Sequence, residues 1–190
     1  MTFPPKRLEA LLALGALEVL PRTGWLLAGA ARGESVAGHT LGVGHLILSL
    51  GPDVDPPLDW GRCLGMALLH DAPEAASGDL PSPAAQHLPQ GAKQMMEEAL
   101  AKELVSPLGA LPEALFEEYA ARESREALFV HLCDKLQMGV QLLRLERLGG
   151  GRLAPFREGL ERLDCGAFAP CEALRKTLLE ALEAEGAEAP

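Results

Sequence analysis

Aliphatic residues recur at helical spacing along most of this 190-residue chain. In the first such segment, Leu8, Leu11, Leu12 and Val19 fall on one face of a helix, and Pro21 then interrupts the pattern. Aromatic residues make up only 4% of the sequence, so the core has to be built mainly from leucine, alanine and valine. An aliphatic core of this kind favours helices over sheet. The chain is therefore predicted to be all-α.

Helix boundaries are marked by capping residues, prolines and glycines. Ser35, Asp59 and Ser124 each precede an apolar periodic segment, as N-cap residues do. The helix after Ser35 is predicted to reach about Leu50, and the helix after Asp59 is expected to end near Pro73. The helix after Ser124 is predicted to stop at the glycine run 149–151. Further helices are predicted at 93–105 and 111–121, and one or two more around 152–163 and 171–182. Turns or loops are predicted at 22–25, 51–57 and 78–89.

The chain is long enough for one domain. With 48% hydrophobic residues it can bury a single sizeable core, which we assign to residues 1–182. Residues 183–190 are small and acidic, and they are predicted to form a frayed C-terminal tail.

Charge and composition narrow the class of partner. The formal net charge of -10 is spread along the chain without a basic cluster, so a nucleic-acid polymer is not expected as a partner. The first seven residues lack a signal-peptide pattern, and no segment approaches the about 20 apolar residues of a membrane span. A cytoplasmic protein is therefore expected. Its four cysteines lack CxxC spacing and are predicted to be reduced thiols.

His70 and Asp71 stand together at the end of a very apolar helical segment. Such a pair can converge on an ion beyond the helix end, although a simple polar helix terminus is the alternative. Asp134 lies among apolar residues on a helix that should be mostly buried, and His39 lies on the second helix. A buried carboxylate is costly unless it is paired or binds a cation. For Asp134 alone, a structural salt bridge remains the alternative.

Taken in order, four short segments resemble the motifs of the HD-domain superfamily, and more narrowly its 5'-deoxynucleotidase branch, which acts on nucleoside monophosphates. The similarity runs from about Pro21 to Leu145, and the segments are 34–39, 69–74, 78–81 and 134–136. The resemblance implies an HD-type helical bundle that binds one divalent metal ion: cobalt, manganese, zinc, iron or magnesium. It also implies the metal ligands, which would be His39, His70, Asp71 and Asp134.

The same resemblance implies that two acidic residues after the His–Asp pair act in catalysis. Glu74 would orient or deprotonate the attacking water, and Asp79 would assist the leaving oxygen. The alternatives are a solvated helix-end carboxylate for Glu74 and a turn-stabilising role for Asp79.

Arg22 and Trp25 precede the helix that carries His39. An arginine is suited to bind phosphate, and a tryptophan can pack on a sugar or a base. For Trp25, a role as a core anchor is the alternative. His131 lies three residues before Asp134 on the same helix face, so it is either a partner of the site or a histidine at the edge of the core.

These residues together predict an enzyme that releases phosphate from (deoxy)nucleoside 5'-monophosphates. Two alternatives stay open: hydrolysis of another phosphate ester (a nucleoside triphosphate, a cyclic dinucleotide or a non-nucleotide phosphate), and a non-catalytic nucleotide-binding helical module. The resemblance also suggests a homodimer.

Overall fold

The computed structural model describes residues 2–30, 33–149 and 152–188. Within these ranges the chain forms eleven α-helices and no β-strand beyond an isolated bridge between Pro21 and Ser35, which confirms the all-α prediction. In chain order the helices are α1 Pro5–Leu14, α2 Thr23–Leu27, α3 Val36–Leu50, α4 Trp60–Leu69, α5 Glu74–Ser77, α6 Ser82–Ala85, α7 Ala92–Leu104, α8 Ala110–Ala121, α9 Arg125–Arg147, α10 Ala154–Glu161 and α11 Ala169–Glu188.

The three predicted N-caps are confirmed by their hydrogen bonds. Ser35 Oγ accepts the Gly38 N–H at 3.0 Å, and Asp59 Oδ1 accepts the Arg62 N–H at 3.0 Å. Ser124 Oγ accepts the Ala127 N–H at 3.1 Å. Each cap satisfies one of the backbone donors left free in a first helical turn. These caps therefore fix where α3, α4 and α9 begin, and those are the helices that carry the candidate site.

The long helix α9 lies at the centre of the bundle and packs against α3, α4, α8, α10 and α11. Its buried apolar residues include Phe129, Val130, Leu136 and Leu142, and they face helices on several sides. Gly139 of α9 lets the helices approach closely, because a Cβ there would meet Leu178 at 3.0 Å. This packing holds α3 and α4 against one side of α9 and brings their polar residues to Asp134.

Two predicted loops contain helices. Residues 23–25 of the first such segment belong to α2, because the Asp79 carboxylate accepts the Thr23 N–H and so caps the helix from a distant part of the chain. Within segment 78–89, residues Ser82–Ala85 form α6. Pro83 is compatible with that helix, since a proline in the first turn removes only a backbone donor that has no partner there.

The C-terminal helix is longer than predicted. We expected it to end at residue 182, but α11 continues to Glu188, because alanine and glutamate dominate this segment and favour helix. The other residues of the predicted tail, and Gly150 and Gly151 of the predicted stop, lie outside the described residues. The boundary of the domain at residue 182 stays a prediction.

Among the described residues, no helix is both long enough and apolar enough to cross a membrane. All four cysteines are buried and free of disulfide bonds.

Candidate metal centre

Four of the predicted site residues come together where α3, the end of α4 and α9 meet. His39 Nε2 lies 3.0 Å from Asp134 Oδ1 and 3.4 Å from His70 Nε2. His70 Nε2 lies 3.2 Å from Asp71 Oδ2, and ligand atoms of His39, His70 and Asp71 all fall within 4.8 Å of one another. We call these four side chains the His–Asp cluster. The predicted convergence of side chains from three helices is thus present.

Hydrogen bonds on the far side of each ring orient the two imidazoles. His70 Nδ1 lies 2.7 Å from the Ala67 carbonyl oxygen, and His39 Nδ1 lies 2.5 Å from Gln137 Oε1. Both partners are acceptors, so each Nδ1 carries a proton and each Nε2, the atom left to bind a metal ion, faces the carboxylates. Two imidazole nitrogens and two carboxylates therefore face one buried point, where a proton or a cation offsets the negative charge, and Lys135 Nζ lies 2.9 Å from Asp134 Oδ2. Imidazole and carboxylate donors in this arrangement suit a divalent metal.

The electrostatics of the cluster also favour a cation. Burial disfavours the charged imidazolium of His70, but Asp71 and Asp134 outweigh this effect and raise the pKa of His70 to about 9. Burial opposes ionisation of Asp71 as well, yet His70 and Arg22 lower its pKa to about 2. The cluster therefore keeps its carboxylates ionised and has a high affinity for positive charge.

Glu74, at the start of α5, is a carboxylate with an unsatisfied oxygen. Its Oε2 atom is buried and has no hydrogen-bond partner among the described residues. Burial, followed by the charges of Asp71 and Asp79, raises the pKa of Glu74 to about 8. A buried acceptor without a partner is rare in folded proteins and points to a missing water or ligand. The position is suited to hold a water molecule beside the cluster.

Asp79 forms a clamp with Thr23. Its carboxylate accepts the Thr23 N–H, and its backbone oxygen accepts a hydrogen bond from Thr23 Oγ1 at 3.0 Å. These contacts fix the segment that carries Arg22. Arg22 Nη1 donates to Asp71 Oδ2 at 3.0 Å, so its guanidinium lies at the rim of the cluster.

Trp25 lies in the core. The residue is only 1% exposed, and its ring stacks on Phe156 with the ring centroids 4.0 Å apart. Its indole N–H donates to Glu34 Oε1 at 3.4 Å. This burial favours the core-anchor alternative over contact with a sugar or base.

His131 supports the aromatic wall of the site. Its Nε2–H donates to the Tyr119 carbonyl at 2.9 Å, and its ring stacks on that of Tyr119 with centroids 3.9 Å apart. Tyr119 in turn meets His70 edge-on at 5.5 Å. His131 therefore acts as a packing partner of Tyr119, not as a further member of the cluster.

Sequence reasoning assigned no role to Glu34 or Gln137. Gln137 lies one helical turn after Asp134, on the same face of α9, and a polar residue at that spacing beside a buried aspartate was the available signal. Glu34 belongs to the first of the resembling segments but immediately precedes the cap of α3, where an acidic residue is unremarkable.

Comparison with known proteins decides the family. The sequence profile described as HD domain matches residues 14–154. The chain belongs to the HD-domain family. Among curated HD-domain relatives, 5'-deoxynucleotidase HDDC2 from Bos taurus is 33% identical over 187 residues, covering 94% of this chain and 84% of that protein. 5'-Deoxynucleotidase hdd1 from Schizosaccharomyces pombe is 33% identical over 145 residues, covering 73% of this chain and 71% of that protein.

Solved structures of similar proteins agree with this HD-domain fold. A protein from Pyrococcus horikoshii superimposes with a TM-score of 0.79 at 29% identity, covering 92% of this chain and 99% of that chain. A predicted metal-dependent phosphohydrolase from Magnetospirillum magnetotacticum gives a TM-score of 0.72 at 26% identity, covering 97% of both chains. The predicted family and the HD-type helical bundle are confirmed, and an HD domain implies a divalent metal.

Proposed function

We propose that this HD-domain protein is a metal-dependent 5'-deoxynucleotidase that hydrolyses deoxynucleoside 5'-monophosphates to a nucleoside and phosphate. The observation that carries the proposal is the convergence of two imidazole Nε2 atoms and two carboxylates beside Glu74, whose buried Oε2 atom has no partner among the described residues. The names of the curated relatives supply the substrate class.

The metal ligands in this proposal are the members of the His–Asp cluster: His39, His70, Asp71 and Asp134. Imidazole donors favour cobalt, manganese, zinc or iron over magnesium, which prefers an all-oxygen shell. A bound divalent ion supplies charge to stabilise the phosphoryl oxygens and lowers the pKa of a water molecule.

Glu74 is the proposed general base. Its high proton affinity, which follows from burial and from the charges of Asp71 and Asp79, suits it to accept a proton from the attacking water. The water oxygen bonds to phosphorus, the bond from phosphorus to the nucleoside oxygen breaks, and that oxygen takes up the proton. Asp79 is proposed to assist the departing oxygen while its clamp on Thr23 holds the neighbouring segment.

Arg22 is the proposed phosphate-binding residue. Its guanidinium has several donors, and the contact with Asp71 Oδ2 uses one nitrogen, Nη1. The remaining donors can bind a phosphate at the rim of the cluster in the bidentate geometry that arginine favours. Trp25 contributes by anchoring this segment in the core, not through substrate contact.

A substrate panel tests the proposal. Purified protein is freed of metal, supplied in turn with cobalt, manganese, zinc, iron and magnesium, and assayed for phosphate release from nucleoside and deoxynucleoside monophosphates. We expect deoxynucleoside monophosphates to be hydrolysed and a chelator to abolish the reaction. Release of pyrophosphate from triphosphates, or of a linear product from a cyclic dinucleotide, would show that the enzyme acts on that class of phosphate ester instead. Inertness toward every compound would refute the enzymatic proposal.

The variant Glu74→Gln tests the general base. We expect a loss of about 10²–10⁴ in kcat with the metal content unchanged, because a positioned base contributes that much. Glu180→Gln, an exposed substitution on α11, is the matched control and should retain full activity. Wild-type turnover by Glu74→Gln would remove Glu74 from the mechanism.

The homodimer stays a prediction, which light scattering of the purified protein tests.

A further inference from the structure

Glu34 places a nearly buried carboxylate behind His39, on the side away from the His–Asp cluster. Its side chain is 9% exposed, and its Oε1 atom lies 3.8 Å from His39 Nδ1. Gln137 Nε2 donates to Glu34 Oε2 at 2.8 Å, and Trp25 Nε1 donates to Oε1 at 3.4 Å. Among the described residues, the donors to this carboxylate are the neutral side chains of Gln137 and Trp25, and its negative charge lies close to the imidazole.

The carboxylate dictates the orientation of the Gln137 amide. An ionised carboxylate accepts hydrogen bonds and cannot donate them, so the amide nitrogen of Gln137 has to face Glu34. Its Oε1 atom then faces His39 Nδ1, which is the contact that the structure shows. An acceptor at this position requires the His39 proton to be on Nδ1. The lone pair of Nε2 is thereby directed at Asp134 and His70.

We propose that Glu34 and Gln137 form a relay that prepares His39 to bind the metal ion. Both are positioning residues, because they act through the His39 ring and not on substrate. The inference rests on the metal centre proposed above and is independent of which phosphate ester is hydrolysed. We call this hydrogen-bonded series, from Glu34 through Gln137 to His39, the Glu34–Gln137 relay.

The relay acts on metal affinity in two ways. It fixes the tautomer and the ring plane, so that no free energy is spent on reorienting His39 when the ion binds. It also places a negative charge behind the ring, which strengthens the Nε2 atom as a donor. Partners that orient a metal-bound histidine are typically worth about 10–100-fold in metal affinity.

The backbone around Glu34 ties the relay to the segment that carries Arg22. The Arg22 N–H donates to the Glu34 carbonyl at 3.0 Å, and the Val36 N–H donates to the Leu20 carbonyl at 2.9 Å. These two bonds flank the bridge between Pro21 and Ser35. Glu34 thus contacts the Arg22 segment through its backbone and the metal-binding histidine through its side chain.

Exchanging the two relay residues tests this inference. Glu34→Gln removes the obligatory acceptor, so the Gln137 amide is free to turn over. In the double variant Glu34→Gln/Gln137→Glu, the carboxylate introduced on α9 accepts the His39 proton directly. The amide introduced before α3 donates to that carboxylate and still accepts from Trp25. The polarity of the relay is restored with the same kinds of atom in nearly the same positions.

The readout is the dissociation constant of cobalt for metal-free protein, measured by competition with a chromophoric chelator. We expect Glu34→Gln to weaken binding about 10–100-fold, and the double variant to recover most of that loss. Glu180→Gln should bind cobalt as the wild type does. Circular dichroism and the thermal midpoint confirm that each variant is folded.

Two results would overturn the relay: a folded Glu34→Gln protein with wild-type cobalt affinity, or a folded double variant that binds no better than Glu34→Gln. A second measurement does not depend on variant folding. In wild-type metal-free protein, at a pH where His39 is neutral, nitrogen NMR should find its proton on Nδ1, and a proton on Nε2 would also refute the relay. Failure of the wild type to bind any divalent metal would instead refute the metal centre itself.

Discussion

Replacing Gly42 by alanine perturbs the Glu34–Gln137 relay from the neighbouring helix. Gly42 lies in α3, where an added Cβ would stand 2.8 Å from both Cγ and Nε2 of Gln137, closer than real Cβ atoms approach. Gly44, two residues further along α3, is the matched control, because its added Cβ would meet only Leu64 at 3.9 Å. Both substitutions carry the same change in helix propensity, and they differ in whether they displace Gln137.

The two substitutions should change the free energy of unfolding in opposite directions. Gly44→Ala should stabilise the protein by about 0.5–1 kcal/mol, since glycine is unfavourable within a helix. Gly42→Ala has the same gain. Against it stand about 1–3 kcal/mol of overpacking and the loss of up to two hydrogen bonds of Gln137, worth about 1 kcal/mol each. The net result for Gly42→Ala should be a destabilisation centred on about 2 kcal/mol, within a range of about 0–4.5 kcal/mol.

Urea unfolding of the metal-free proteins, followed by circular dichroism, measures both values. The midpoint should rise for Gly44→Ala and fall for Gly42→Ala, with the slope of the transition unchanged. Cobalt affinity should fall only for Gly42→Ala. If the two alanine variants were equally stable and bound cobalt equally, the Gln137 side chain would be free to move aside. The close approach of α3 to α9 at this point would then have no role in holding the relay.

Two further predictions concern buried titratable groups. Burial lowers the pKa of His131 to about 4 despite its hydrogen bond to Tyr119. As the pH falls, His131 is therefore protonated at a higher pH in the unfolded chain than in the folded chain. Stability should be fully present above the ordinary pKa of histidine, about 6.5, and should decrease as the pH falls toward 4. Denaturant titrations at several pH values should show that the free energy of unfolding decreases less for His131→Gln than for the wild type. The same pH dependence in both proteins would contradict the lowered pKa of His131. The four cysteines are all buried, so a thiol reagent should react slowly with native protein and with four thiols per chain after unfolding; rapid reaction of the native protein would contradict their burial.

Much of the fold could be predicted because helix boundaries and buried helix faces depend on residues that are close together in the sequence. A cap such as Ser35 or Ser124 satisfies a backbone donor three residues away. Apolar spacing predicted the buried face of α9. It was wrong for the first segment, where α1 ends at Leu14, its buried residue is Ala10, and Leu8, Leu11, Leu12 and Val19 are exposed, because no other described helix covers that face. Pro73 also behaved as expected, since α4 ends at Leu69, before it. The order of these elements, with a histidine or carboxylate in each of three, was therefore readable in the sequence.

The features that were missed depend on contacts between distant segments. The cap of α2 comes from Asp79, which lies 56 residues from Thr23, and the contact between Glu34 and Gln137 spans 103 residues. The spacing of residues within one segment cannot indicate a contact with a segment so far away in the sequence. Trp25 is similar, because the contact that favours a core role over substrate contact comes from Phe156 on α10. Local propensity was overridden at these positions by tertiary contacts.

The placement of these residues explains how the fold tolerates a cluster of acceptors in its interior. Asp134 and Gln137 share one face of α9, while Leu136 and Leu142 on the same helix are fully buried in the core. Apolar packing along α9 thus offsets the cost of burying the carboxylates that the helix helps to bring together. A cation can bind to the cluster only in the folded chain, so metal binding has to stabilise the fold by an amount set by its affinity. In metal-free protein Asp134 is paired with His39 Nε2 at 3.0 Å and with Lys135 Nζ at 2.9 Å, so Asp134→Asn should lower the free energy of unfolding as well as remove a ligand. Measuring stability with and without cobalt separates the two roles: a metal ligand predicts that cobalt stabilises the wild type and not the variant, whereas a purely structural salt bridge predicts equal stabilisation of both.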